Sequence, residues 1–596
     1  MHASARKIPQ LRLLAWLALG SASQGWAAQA PDSTRIYRAA HEAEIDYERA
    51  ARRLAPLSYP DRARRCDEYV GRFCLYYDTG RDPLPPEPTE IARVRERALE
   101  RLRNAFEINR ARKATVFPLV RLLLEHKRPR QAHEVVQAYR AVTDDAVSGE
   151  LLAVLTAHAT ADIRGAERAI AELLASVDSA EAQRLRDISF LLAPRERKRY
   201  RELAPDQQRR YEDRFWRYAD ALYLTEGNET RTEHFARHTE TKLLETVPFV
   251  LGGSDYGKDI AQLTIRFGTP KARTRLDVNR PGTYDLQIVE HWDPEQMIYA
   301  APSLDSVLTV RAGPGAAWPM DTVRSISGHA PSTIRRMLPL HHQPSVFHDA
   351  GGGFTFRVDG LLLQDSASRG ATRLRRGLFL LDDTLALVAR VDDELSVSGD
   401  TLPFTLELPL PREAVLYSAE VVEPDRGLAG RARFRLDRPV ADRGLLLSDV
   451  VIADAFPPGQ LPVSRHDSTL VPKRSLLVPA GNPFGIYAEV SLGTDAPDSV
   501  VVDLELIALD GGPALVRAAR WIGERLGLSD RPVPRKLTWA AEIPTVTPTP
   551  VAVTVESANL KPGRYIVELS VTRRERRVTS RREFVLIASA TNSRRP

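Results

Sequence analysis

The apolar positions of this chain follow two rhythms. From Thr89 onward, Ile91, Val94, Ala98, Leu102 and Ala105 recur at helical spacing against a charged opposite face, which predicts a helix capped by Thr89. Further helices are expected at 116–126, 130–142, 150–159 and 164–177. After residue 245 the grain changes to short alternating runs separated by Gly, Pro, Asp and Ser, the pattern of half-buried strands. Phe404, Leu406, Leu408 and Leu410 alternate between Pro403 and Pro411. Tyr565, Val567, Leu569 and Val571 follow a Leu560-Lys561-Pro562-Gly563 turn and are expected to pair with 584–587 as a hairpin. A helical stretch from Ala514 to Leu526, carrying Trp521, interrupts the strands.

The helices also repeat. Arg130-Gln131-Ala132 and Arg164-Gly165-Ala166 recur at a spacing of 34, with Val136 matching Ile170 and Tyr139 matching Leu173. A helix-turn-helix period of 34 is that of tetratricopeptide repeats, whose stacks present a groove to a peptide or protein partner. The alternative is an irregular helical bundle without a ligand. The expected fold class is therefore multidomain α+β: an N-terminal helical, tetratricopeptide-like half, a central α/β domain and C-terminal β-sandwich domains. The expected divisions are a leader at 1–30, a cysteine-containing segment with a Pro-rich linker at 31–88, the helical region at 89–190 and the central domain at 191–300. A linker at 301–344, a β-rich domain at 345–490 and a sandwich-like domain at 491–590 complete the chain.

Composition narrows the class. Arg6, Lys7 and Arg12 precede an apolar stretch from Leu13 to Ala22, and small residues at 25–30 allow cleavage after Ala27 or Ala30. This reads as a signal peptide and places the mature chain in the periplasm or outside the cell; the alternative is an uncleaved anchor. No later segment is long and apolar enough to span a bilayer. The net charge of +6 falls to +3 without the leader, which gives little support to a nucleic-acid partner. Cys66 and Cys74 are the only cysteines. An exported protein meets an oxidising compartment, so a disulfide is expected, with two free thiols as the alternative. On one straight helix they would lie about 12 Å apart, so a bridge needs a turn, which Gly71 supplies.

Residues 190–270 carry a family signature: Leu191 to Glu196, Phe215-Trp216, Asn228-Glu229, Glu233-His234, then Ile265-Arg266-Phe267-Gly268 and Pro270. This stretch resembles the GWxTD-domain proteins, an exported bacterial family. Asp255-Tyr256-Gly257-Lys258-Asp259 stands where the family has its eponymous motif, with Tyr256 in place of tryptophan and Asp259 matching the final aspartate. Glu290-His291-Trp292 extends the likeness. The resemblance implies a strand and turn at 265–270, with Arg266 beside Gly268 able to pair with Asp259. It brings no catalytic residues with it. On physical grounds Phe215, Trp216 and Tyr218 are expected to pack a helix onto the following β unit, and Asn228 and Glu229 to start a helix.

No nucleophile elbow, phosphate-binding P-loop, dinucleotide fingerprint or C-x-x-C is present. His234 and His238 share a helix face, but Phe235 stands where a zinc hydrolase needs glutamate. His341, His342, His348 and Asp349 form a second N/O donor group, although adjacent histidines on a strand point to opposite faces. Arg573, Arg574, Arg576, Arg577, Arg581 and Arg582 cluster on the last hairpin, a candidate for gripping an anionic surface. They carry no interleaved aromatics of the kind that bind single-stranded nucleic acid. The sequence thus points to a non-enzymatic envelope binding or assembly protein with a protein partner and no cofactor. The alternative is a secreted metal-assisted hydrolase using one of the histidine groups.

Overall fold

The computed structural model describes residues 32–57, 68–71, 73–77, 85–247, 256–270, 272–280, 283–292, 307–314, 316, 333–363, 371–398, 401–438, 444–493, 497–509, 535–544 and 547–588. The leader, Cys66 and hence the cysteine pairing, and the expected helix at 514–526 lie outside them.

Helices α1 (Ser33–Arg53), α2 (Thr89–Ile108), α3 (Lys113–Glu125), α4 (Pro129–Arg140), α5 (Ala146–Ala159) and α6 (Ile163–Ser176) form successive antiparallel pairs. Thr89 is the first helical residue rather than the cap; Pro88 takes the cap position with no side-chain hydrogen bond. Asp145 and Asp162 cap α5 and α6, accepting from the Ser148 and Gly165 amides, each worth about 1 kcal/mol. The 34-residue period is structural. Lys127 and Ala161 both adopt positive φ, and each begins the same turn: Lys127 N–H donates to the Leu124 carbonyl as Ala161 N–H does to that of His158. Ala132 and Ala166, Val136 and Ile170, and Tyr139 and Leu173 are all fully buried.

Four further helices follow: α7 (Ser179–Arg186), α8 (Pro194–Arg201), α9 (Pro205–Ala219) and α10 (Glu229–Leu244). Helix α10 lies against α5, α6 and α3, and its Phe235, Ala236 and Leu243 join the core of the paired helices. Helix α10 thus completes the core of the paired helices. Its sequence is polar, yet its buried hydroxyls find backbone acceptors: Thr230 donates to the Ala219 carbonyl at 2.9 Å and Thr239 to that of Leu151 at 3.1 Å.

Residues 265–267, expected as a strand, are the last turn of helix α11 (Lys258–Phe267). Ile260, Leu263, Thr264 and Phe267 are buried at i, i+3, i+4 and i+7, a helical period that outweighs the local β-like run. Arg266 lies over the Phe267 ring, 4.7 Å from its centroid. Gly71 does turn the chain, between β1 (Glu68–Val70) and β2 (Phe73–Tyr77). With β3 (Ala272–Arg280) and β4 (Thr283–Trp292) these make one sheet in the order β1-β2-β4-β3, so the N-terminal segment is continuous with the central region rather than separate from it.

The first all-β unit holds β5 (Arg336–Met337), β6 (Leu340–His348), β7 (Phe354–Leu363), β8 (Ala371–Leu381), β9 (Leu387–Ser398), β10 (Thr401–Pro409), β11 (Leu416–Glu423) and β12 (Leu428–Arg435). Sheets β10-β7-β6 and β5-β12-β11-β8-β9 close over one core that includes Phe356, Leu406, Leu378 and Tyr417. The second unit holds β13 (Leu445–Leu447), β14 (Val451–Asp454), β15 (Leu477–Pro479), β16 (Phe484–Leu492), β17 (Asp498–Ala508), β18 (Arg535–Ile543), β19 (Thr549–Val555), β20 (Gly563–Arg573) and β21 (Arg576–Ile587). One of its sheets centres on β16, and the other runs β15-β21-β20-β17-β18. The division expected at 490 thus falls near 440, because β16 pairs with β19 and shares its core with β17, β20 and β21. The division expected at 344 falls before Arg336 for the same kind of reason.

Candidate functional site

Helix α11 has a recess at each end. At its start, an open cleft of about 670 Å³ is lined by Gly71, Phe190, Arg197, Arg201, Tyr256, Gly257, Lys258, Asp259 and Gln262. Arg197 and Arg201 sit one turn apart on α8, which begins at Pro194. Arg197 donates to the Leu192 carbonyl at 3.1 Å and Arg201 to the Ser189 hydroxyl at 3.4 Å. Burial, then the nearby Arg201 and Arg266, lower the Arg197 pKa from its ordinary value. Asp259 packs on the Gly71 turn so closely that a Cβ on Gly71 would stand 2.4 Å from that of Asp259, and Gly71 has φ +55°. Only glycine fits there. Burial raises the Tyr256 phenol to about 12.

At the other end of α11, a cavity of about 50 Å³ lies among Leu243, Leu263, Glu240, Arg121 and Pro270. That is room for a few waters. Glu240 accepts from the Thr269 hydroxyl at 3.3 Å, its other oxygen has no partner, and burial pushes its carboxyl up to about 7. Below the cavity, Arg121 donates to Glu44, Glu48 and Glu125. Arg237 of α10 donates to the Ile265 and Arg266 carbonyls at 3.2 and 2.8 Å and so caps α11, while Gly268 turns the chain at φ +69°.

Most of the residues on which the resemblance rests lie on or beside α9, α10 and α11. Trp216 and His234 pack ring to ring at 5.0 Å, and Asn228 caps α10 while donating to the Trp216 carbonyl at 2.7 Å. Burial raises Glu229 to about 7. Tyr256 and Asp259 line the cleft, and Gly268 and Pro270 the cavity. Phe215, Trp216 and Tyr218 share a core with Leu381, Leu385 and Leu416 of the first β unit, as their aromatic character predicts. Arg237, Arg197, Arg201 and Glu240 were not singled out from sequence. For the two arginines the one signal was their i, i+4 spacing within a charge run that reads as a solvated face.

The histidines are packing residues. His234 is buried and His238 half-buried, with their rings 4.5 Å apart, and Glu233 pairs with Arg237. His342 shares a hydrogen bond with the Tyr417 hydroxyl at 2.7 Å and stacks on Phe434, while His348 packs on Phe354. Asp349 pairs with Arg465 at 2.6 Å. His341 precedes His342 on β6 and takes no part in that packing. Among the described residues no three His, Cys, Asp or Glu side chains converge on a point that would hold a metal ion.

The hairpin arginines are divided among several partners, with Arg573 and Arg574 sharing Asp498. Arg573 pairs with Asp498 at 2.7 Å, Arg581 with Glu568 at 2.7 Å, and Arg577 donates to Ser570. Arg582 points inward to the Pro344 and Val450 carbonyls. Arg574, in the turn, is exposed, and Arg576 follows it at the start of β21.

No protein-family model and no curated protein matches the chain. Among solved structures, a red sea bream transglutaminase is 11% identical (TM-score 0.14), a Salmonella α2-macroglobulin reacted with methylamine 10% (0.19), and a putative membrane anchored protein from Corynebacterium diphtheriae 10% (0.15). Each comparison covers 42% of this chain, and the chain spans 31%, 24% and 59% of those proteins respectively. No helix among the described residues is long and apolar enough to cross a membrane.

Proposed function

We propose that this chain is an exported, non-enzymatic binding or assembly protein of the cell envelope. In this reading a tetratricopeptide-like helical module, a GWxTD-like central domain and two β-sandwich modules form a scaffold for a protein partner. The observation that carries it is the character of the one large open recess described above. It offers three cations and a single carboxylate, with no nucleophile paired to a base, and so is furnished for holding rather than for turnover. The burial of His234 and His348, and the ring packing of His238 on His234 and of His342 on Phe434, favour the same reading over a metal-assisted hydrolase. Fractionation of native cells with N-terminal sequencing tests the address: the account expects an envelope or secreted chain beginning after Ala27 or Ala30. A cytosolic chain retaining those residues contradicts it. Stoichiometric zinc in that purified protein, lost on His234→Ala or His341→Ala, would establish the hydrolase instead.

A further inference from the structure

We infer that the cleft at the start of α11 binds a compact phosphate-bearing group through Arg197, Arg201 and Lys258. Two guanidinium groups on α8 and one ammonium on α11 line the same open space, and Asp259 is the only carboxylate in its lining. Among the described residues, Arg197, Arg201 and Lys258 have no ion-pair partner; both arginines donate only to neutral oxygens. The Nε of Arg197 is shielded from solvent without an acceptor, a buried donor left unpaired. Like charges around one recess repel one another unless an anion joins them, and burial, then Arg201 and Arg266, lower the Arg197 pKa. Paired guanidinium forks match the oxygens of a phosphate better than they match a single point charge. The start of α11 adds its positive dipole end, a lesser contribution than the three cations. About 670 Å³ exceeds what a bare phosphate needs and leaves space for an attached polyol or headgroup against Phe190 and Tyr256.

The inference deepens the binding reading by naming a ligand class, and its test needs no protein partner. The full mature chain is titrated calorimetrically at low salt with inorganic phosphate, glycerol phosphate and succinate. It is also sedimented with phosphatidylglycerol or phosphatidylcholine vesicles. One saturable site preferring the phosphates is expected, weakened roughly tenfold or more in Arg197→Gln/Arg201→Gln. The hairpin control Arg574→Gln/Arg576→Gln should bind like wild type. Lys258→Met, on a separate element, should also weaken binding and serves if the double variant fails to fold. Capture by phosphatidylglycerol vesicles that the cleft variants lose assigns a lipid headgroup. Saturable glycerol phosphate binding without vesicle capture assigns a soluble phosphate compound. No saturable binding through the millimolar range, equal binding in the cleft variants, or equal loss in the hairpin control would overturn the inference. Retention of an envelope partner under any of those outcomes would leave the scaffold reading standing.

Discussion

Arg433 lies almost wholly enclosed, donating to Glu420 at 3.0 Å and to the Tyr218 and Asp220 carbonyls, with Tyr223 beneath it at 4.1 Å. Replacing it with methionine strands Glu420 in the interior and is expected to cost about 3–5 kcal/mol in urea unfolding. Removing both charges in Glu420→Gln/Arg433→Met should cost less than the single change. Equal losses would show that the two residues do not act as a pair. Along β12, Arg431 and Arg433 lie on the face opposite Gly430, Ala432 and Phe434, and nothing local in the sequence signals that this face is buried, because the segment 218–224 that covers it is remote in the chain. The histidines give a second prediction. Burial holds His342 at about 4, below the ordinary 6.5, so the unfolded chain binds more protons between those values. Its contribution is complete above pH 6.5 and drains away as pH falls toward 4. The penalty of His342→Phe measured at pH 7 should therefore shrink by about 2 kcal/mol at pH 5. An identical penalty at both values would contradict the assignment.

At the scale of elements, the repeat was legible because its turn chemistry and buried positions recur in step. The role of α10 was not. A run such as Glu229 to Leu244 reads as a surface helix, and only the threonine hydroxyls bonded to backbone carbonyls make its burial tolerable. Phe235 is its anchor in the helical core, and Phe235→Ala should cost about 3–5 kcal/mol. Hydrogen exchange should then show α5 and α10 losing protection together; loss confined to α10 would mean that it is an appendage. A strand at 265–267 was implied by the resemblance alone, whereas the burial of Ile260, Leu263, Thr264 and Phe267 follows a helical period. Gly268→Ala places a Cβ 3.4 Å from the Arg237 guanidinium at a positive φ and should cost about 1–2 kcal/mol by thermal unfolding. A neutral outcome would mean that the turn can relax away from Arg237.

Across the whole molecule, charged and polar side chains join the units. Gln343 of the first β unit donates to the Ile452 and Lys473 carbonyls at 2.9 and 3.0 Å and accepts from the Ile452 amide at 2.8 Å. Arg582 reaches back to Pro344, and Arg375, Glu420, Arg431 and Arg433 hold 221–224 and its neighbours on the β8-β11-β12 face. Gln343→Leu leaves several buried groups unpaired and should separate the two β units into distinct calorimetric transitions. A single unchanged transition would show that the junction does not depend on it. Such joining suits the proposed scaffold, which would present a fixed surface to its partner. The most direct measurement is photo-crosslinking in living cells, from a probe at Gln262 in the cleft and a control probe at exposed Val463. The account predicts a discrete envelope component trapped from the cleft and not from the control. Equal, diffuse products from both positions would contradict it.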